Sequence, residues 1–240
     1  MAGAPVPPRF MSQWDRGHAF VVQFGDRAGM TQAYRWRLAT EFGLLFVVVV
    51  GAYLVLGVPG GPIPPLVVAG TLAALALRRD AGFDRRRLWN AAALRPALPG
   101  VLLLWAAVSV VATAGVALAA PDRLFDMPRR ETALWLAVVL LYPLLSVYPQ
   151  ELLYRAYLLH RYAPLFGTGR GAAAVSAAVF SFAHLLFGNV LAVAATLVGG
   201  WLFARRYQRT RSLLVVSVEH ALYGVTIFTI GLGGYFYHGA

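Results

Sequence analysis

Seven apolar segments take up most of the chain after Arg37, and they leave little choice of fold. They run over Leu38 to Gly57, Pro62 to Leu77, Gly100 to Ala120, Thr132 to Val147, Gly171 to Phe187, Asn189 to Ala204 and Ser212 to Gly231. About 20 helical residues, with a range of about 17 to 25, span the hydrocarbon of a bilayer. The expectation is therefore all-α: a polytopic transmembrane helix bundle of about seven spans, the shorter segments drawing on flanking residues to reach across. Only 13% of the 240 residues are charged and 59% are hydrophobic, against about 25% charged in soluble domains.

Charge sets the orientation. All 21 basic residues are arginine, giving a net charge of +11, and they sit between the apolar runs. Five precede the first segment, six lie from Arg78 to Arg95 and four from Arg205 to Arg211. Alternating spans put all three groups on one side, the predicted cytoplasmic one. The loop from Pro121 to Arg130, whose arginines are offset by Asp122 and Asp126, and the C-terminus then lie outside. Charge distributed in this way marks topology, and nucleic acid is not an expected partner. The expected setting is integral to a membrane, a bacterial cytoplasmic membrane, with the lipid bilayer and a membrane-associated protein or peptide as partners. Nothing in the sequence sets an oligomeric state.

Residues 1–37 hold no apolar run long enough for a secretory signal and read as a retained cytoplasmic or interfacial tail, with Trp14 and Phe20 as anchors. Residues 38–240 read as a single transmembrane domain whose motif-bearing core is 143–234. There is no cysteine, which removes disulfides, thiolate nucleophiles and Cys-based zinc sites. There is no lysine either, so no Ser-Lys dyad.

Beyond Glu131 the only acids are Glu151 and Glu219, both in apolar surroundings, and a carboxylate in such a place is a functional-site candidate. Arg155 follows Glu151 by four residues, so the two share a helix face and can pair. From Thr132 to Tyr162 the apolar run has 31 residues, about 46 Å of helix, which overshoots a bilayer core of about 30 Å unless the helix tilts strongly or breaks. Pro143 and Pro149 are the expected break points, with Pro149 opening a new helix and Glu151 in its first turn, near the positive end of the helix dipole. His184 and His220 lie inside the fifth and the last segments. Counted from the cytoplasmic ends, His184, His220 and Glu151 fall at depths of about 20, 12 and 16 Å, close enough to meet at one level. Taken singly, each histidine could be a structural hydrogen-bonding group and Glu151 with Arg155 a structural ion pair. Four ionisable groups on three helices favour a site. Glu219 is expected to be structural or a partner for Arg205 to Arg211, and His18, His160 and His238 to be solvated or interfacial. Small residues every fourth position, Ala172 and Ser176, then Ala192, Thr196 and Gly200, predict close helix contact.

One glutamate with two histidines can activate water in two ways. They can hold zinc through Glu151, His184 and His220 with an open position, or act as a general base with histidine at the oxyanion. Both lead to hydrolysis, and a proton-relay transporter would use the same groups. There is no His-Glu-x-x-His, no Gly-x-Ser-x-Gly and no aspartate inside a span for an aspartyl dyad.

Glu151-Leu-Leu-Tyr-Arg155, then Phe180-x-x-x-His184, then His220 in a late helix resemble, in order and spacing, the three motifs of the CAAX-protease and bacteriocin-processing (CPBP) family. That family comprises intramembrane glutamic endopeptidases and includes the type II CAAX prenyl proteases. The resemblance covers roughly Pro143 to Gly234. It implies an endopeptidase that hydrolyses a peptide bond in a membrane-associated protein or peptide by glutamate and histidine activation of water, with no cofactor and zinc as the alternative. The family's first motif is Glu-Glu-x-x-x-Arg and its third carries an Asn four residues after the His. Here Gln150 stands for the first Glu and Gly224 for the Asn. The resemblance implies that Glu151 or His184 takes the base role, Gln150 positions water or the scissile carbonyl, Arg155 holds Glu151, and His220 serves the oxyanion in a site opening toward the cytoplasmic half. The alternative is an impaired family member acting as a membrane binding or chaperone-like protein. Asn189 is weighed both as a substitute donor and as the cap of the sixth helix.

Overall fold

A computed structural model describes residues 31–57 and 59–237. Most of the expected tail, with Trp14, His18 and Phe20, and also His238, lie outside the described residues. Among the described residues the chain forms helices and turns and no strand.

Seven long helices follow the seven apolar segments. Helix α1 (Gln32–Leu56) starts where the Thr31 hydroxyl accepts from the Tyr34 amide and ends at Gly57, whose φ of 58° gives the left-handed stop that glycine accepts without strain. Helix α2 (Ile63–Arg79) opens with Pro64 and Pro65 in its first turn, where a missing N–H costs nothing, and closes with Arg78 and Arg79 at the negative end of its dipole. Helix α3 (Leu94–Ala119) and helix α4 (Thr132–Arg161) follow, and helix α5 (Arg170–Ala183) runs into a 3-10 turn, His184–Phe187. The Asn189 carboxamide accepts from the Ala192 amide (2.8 Å) and caps helix α6 (Val190–Thr210), as the sequence suggested. Ser212 accepts from the Val215 amide and caps helix α7 (Leu213–Thr229).

Four helical stretches among the described residues are long and apolar enough to cross a membrane: Gln32–Leu56, Ala91–Ala119, Thr132–Arg161 and Arg170–Phe187; Leu213–Thr229 is apolar but shorter. The outer faces of α1 and α3 are bare hydrocarbon, with Val55 86% and Leu118 87% exposed, a surface suited to lipid and not to water. The protein is an integral membrane helix bundle.

Helix α4 differs from expectation. It passes Pro149 without a break, and Glu151 sits deep inside one helix of 30 residues instead of opening a new one. The prolines are absorbed by two widened turns, Pro143–Val147 and Leu152–Tyr157, in which the Tyr148 and Leu158 amides reach back five residues to the Pro143 and Leu153 carbonyls. A proline removes one N–H and crowds the carbonyl a turn earlier, and widening the turn relieves both without ending the helix.

The packing holds α4 in the middle. A Cβ on Gly70 would lie 2.8 Å from the Pro149 Cβ, so α2 meets α4 backbone to backbone. A Cβ on Gly200 would come within 3.1 Å of the Ala177 Cα, and Ala172, Ser176, Ala192 and Thr196 are all buried, so α5 and α6 use the small residues for close contact. Ser176 donates to the Tyr154 carbonyl (2.8 Å) and ties that pair to α4. At the arginine-rich end Glu41 of α1 accepts from Arg161 through both nitrogens (2.8 and 2.6 Å) and from the Tyr157 and Tyr162 hydroxyls. His160, expected to be solvated or interfacial, is bonded to Asp80 (2.9 Å) at the end of α4, with its ring edge against Phe83, because the chain leaving α2 turns back there. That hydrogen bond from His160 is the main reason the Asp80 carboxyl titrates below the ordinary aspartate range.

Candidate active site

Helix α4 carries two different faces at mid-depth. One presents Glu151 and Arg155 to α6 and α7, and the other presents Tyr142, Ser146 and Gln150, spaced by four, to a cavity. Both Glu151 and Arg155 are 0% exposed, with Nε 3.2 Å from Oε2. The Arg155 guanidinium lies 4.4 Å from the centre of the Phe180 ring, a cation–π contact that holds it where no described residue accepts a hydrogen bond from it. The other Glu151 oxygen, Oε1, is 2.8 Å from His220 Nδ1. A carboxylate only accepts, so Nδ1 carries a proton and His220 turns Nε2 the other way, to within 3.4 Å of the Tyr142 hydroxyl. Phe203 stacks flat on the His220 ring (4.5 Å, 18°) and fixes its plane.

His184 caps the end of α5. Its Nδ1 lies 2.7 Å from the Phe180 carbonyl, which again can only accept, so in the neutral ring the lone pair is on Nε2. Phe180 separates the two histidines, its ring centre 4.5 Å from that of His184 and 5.8 Å from that of His220. The second motif's phenylalanine is thus the spacer of the site as well as the support for Arg155.

The cavity has a volume of about 270 Å³ and is mostly apolar; its polar lining includes Tyr142, Ser146, Gln150 and His184. Gln150 Nε2 donates to Ser146 Oγ (2.8 Å), and Oε1 is buried with no partner among the described residues. Neither Glu151 nor His220 lines this cavity. The sequence-selected residues therefore fall into two sets, Gln150 and His184 on the wall, and Glu151, Arg155 and His220 directly behind it. Tyr142 belongs to both, and sequence reasoning missed it. The available signal was its spacing of eight residues, two turns, from Gln150 on the same apolar helix.

The rest of the cavity wall comes from the ends of α1, α2, α5 and α7 away from the arginine-rich loops, including Leu54, Ile63, Phe187 and Phe228. The expected opening toward the arginine-rich side is corrected by this: the cavity runs from mid-depth toward the opposite face. The Glu41–Arg161 and Asp80–His160 contacts lie at the arginine-rich end. Glu219 pairs with Arg206 in bidentate fashion (2.8 and 2.9 Å) and is away from the cavity lining. No three His, Asp or Glu side chains among the described residues are grouped to hold a metal ion. Glu151 is committed to Arg155 and His220, so the proposed zinc donors do not converge on one point.

Two motifs on α4 and α5 face one cavity, and the third motif's histidine is hydrogen-bonded to the first motif's glutamate. Residues 132–226 match the type II CAAX prenyl endopeptidase Rce1-like family. The Rce1-like stretch begins with α4 and ends within α7, so it contains Glu151, Arg155, Phe180, His184, His220 and Gly224. The family is one of peptidases, the same one that the three motifs resemble. Helices α1 to α3 precede the Rce1-like stretch, yet α1 and α2 supply much of the cavity wall. No curated protein and no solved structure matches the chain significantly.

Proposed function

We propose that the protein is an intramembrane endopeptidase that cleaves a peptide bond near the end of a membrane-associated protein or peptide. The observation that carries this reading is the apolar cavity with His184 and the unpartnered Gln150 oxygen on its wall and the Glu151–His220 pair behind it. Gln150 orients a water or the scissile amide, and His184 Nε2 takes the water's proton as its oxygen adds to the carbonyl carbon. When the C–N bond breaks, the same proton passes to the leaving amine. Of the two bases that the sequence left open, His184 is favoured because Glu151 has both oxygens engaged and none on the cavity wall. Glu151 keeps His220 oriented with Nδ1 turned inward, and Arg155 neutralises Glu151. His220 supports the negative charge that develops on the carbonyl oxygen.

The family match supports a prenylated C-terminal peptide as the first substrate to try. The arginine distribution supports a bacterial-type orientation with the N-terminus cytoplasmic and the C-terminus outside. In that frame the substrate's tail enters from the outer half. One observation favours the alternative of a non-cleaving membrane binding protein, namely that Glu151 is sealed from the cavity. The test is purified protein in detergent with a quenched fluorogenic peptide ending in a prenylated Cys-aliphatic-aliphatic-X tail. Cleavage should occur and should be abolished by His184→Ala and by Glu151→Gln. Cleavage by both variants at the wild-type rate would refute the mechanism, and binding without cleavage by the wild type would establish the alternative.

A further inference from the structure

We infer that the Tyr142 hydroxyl is the group that donates to the oxyanion of the tetrahedral intermediate, with His220 behind it. This rests on the peptidase reading above. Among the described residues, Tyr142 is the one side chain that lines the cavity and also bonds the buried Glu151–His220 pair. His220 itself is not on the wall.

Gly224 explains how the ring comes to be there. It lies one turn after His220 on α7 and faces Tyr142, and a Cβ at 224 would overlap the ring and come 2.5 Å from its hydroxyl. The ring occupies the space that any side chain at 224 would need. Phe228 one turn further also packs against the ring (5.6 Å between centres), so two residues of α7 border it. Gly224, which by itself reads as a missing donor, is the clearance for a donor arriving from α4.

The hydrogen-bond directions complete the case. His220 Nδ1–H is given to Glu151, whose charge is balanced by Arg155. His220 Nε2, which carries the lone pair, faces the Tyr142 hydroxyl and accepts from it in the resting site, and the phenolic O–H turns from Nε2 to the oxyanion when one forms in the cavity. The Glu151–His220 pair thus positions a donor at the wall without itself meeting substrate. In the chemical step the water oxygen bonds to the scissile carbon, the carbonyl oxygen takes the electron pair, and His184 holds the proton. Tyr142 donates a hydrogen bond to that oxygen without giving up its proton, and on collapse the C–N bond breaks and the amine takes the proton from His184.

The experiment compares wild type, Tyr142→Phe, Gly224→Ala, Tyr142→Leu and the exchange Tyr142→Leu/Gly224→Asn on the prenylated peptide, with kcat and KM separated. Removing a single oxyanion donor costs about 10²–10³ in kcat. Tyr142→Phe, which keeps the ring, should lose that much with KM within about two-fold, the signature of an interaction made only in the transition state. Gly224→Ala, which displaces the ring, should lose a similar amount. The exchange, which empties position 142 and supplies a carboxamide donor from 224, should turn over at least about ten-fold faster than Tyr142→Leu alone. No cleavage by wild type overturns the peptidase reading and this inference with it. Cleavage by wild type with kcat undiminished in Tyr142→Phe overturns the inference alone, as does a loss confined to KM. If Tyr142→Phe does not fold, the exchange decides: faster turnover than Tyr142→Leu supports the donor role, and its absence overturns it.

Discussion

Replacing Glu151 with glutamine tests whether the buried ion pair holds the bundle together or only the site. The amide oxygen can still accept from His220 Nδ1, so the main change is the loss of the charge that faces Arg155 across 3.2 Å. At that distance two unit charges attract by about 5 kcal/mol for an effective dielectric near 20. Removing one member of a buried pair costs about 3–5 kcal/mol, because the other is left uncompensated. The Phe180 face 4.4 Å from the guanidinium offsets about 2 kcal/mol of the Coulomb loss of about 5 kcal/mol, which leaves a loss of about 3 kcal/mol, the lower end of that range. For a chain of this size that is roughly 6–12 °C in Tm. The measurement is thermal unfolding of purified protein in one detergent, followed by the loss of helical circular dichroism. The paired change Glu151→Leu/Arg155→Met should recover most of the stability, since apolar replacement of a whole buried pair is often neutral, and yet show no cleavage. A Tm for Glu151→Gln within about 2 °C of wild type, or a paired variant no more stable than the single one, would refute the reasoning.

Three further outcomes are expected. Gln150→Glu puts a carboxylate on the cavity wall that also carries His184, the base of the proposed mechanism; turnover of the prenylated peptide should rise several-fold, since a positioned base contributes about 10²–10⁴, and unchanged turnover would remove Gln150 from the proposed water's path. Gly70→Ala sets a methyl group against the Pro149 backbone, 2.9 Å from its Cα, where neither helix can yield locally; about 1–3 kcal/mol should be lost, read as a lower Tm. Asp80 titrates below its ordinary value, first because His160 donates to it. Its stabilising contribution is therefore present above the usual carboxylate range and disappears as pH falls through the lowered value. The Tm advantage of wild type over Asp80→Asn, measured near pH 7, should narrow as the pH is lowered below the ordinary aspartate range, and a gap that stays constant throughout the acid titration would rule the linkage out.

The bundle was legible because its signals are local and additive. Apolar runs of spanning length, Gly57, Asn189 and Ser212 at the ends, and arginines between the runs each say the same thing as the observed helices. Pro149 was the exception. Its local signal to break was overridden by tertiary contact, with Gly70 packed on it and widened turns on either side of it along α4. The pairing of Glu151 with Arg155 followed from spacing, and its meeting with His220 from depth. Depth says nothing about azimuth, however. Gln150 and Glu151 are adjacent, so their side chains point about 100° apart on a helix, and one faces the cavity while the other faces α7. In the proposed mechanism that division favours His184 as the water-activating base and leaves Glu151 acting through His220. Tyr142 was hidden for a related reason. A tyrosine in an apolar helix reads as packing, and a glycine where a donor is expected reads as loss. The overlap that a Cβ at 224 would make with the Tyr142 ring turns these two observations into one, since each residue is the condition for the other.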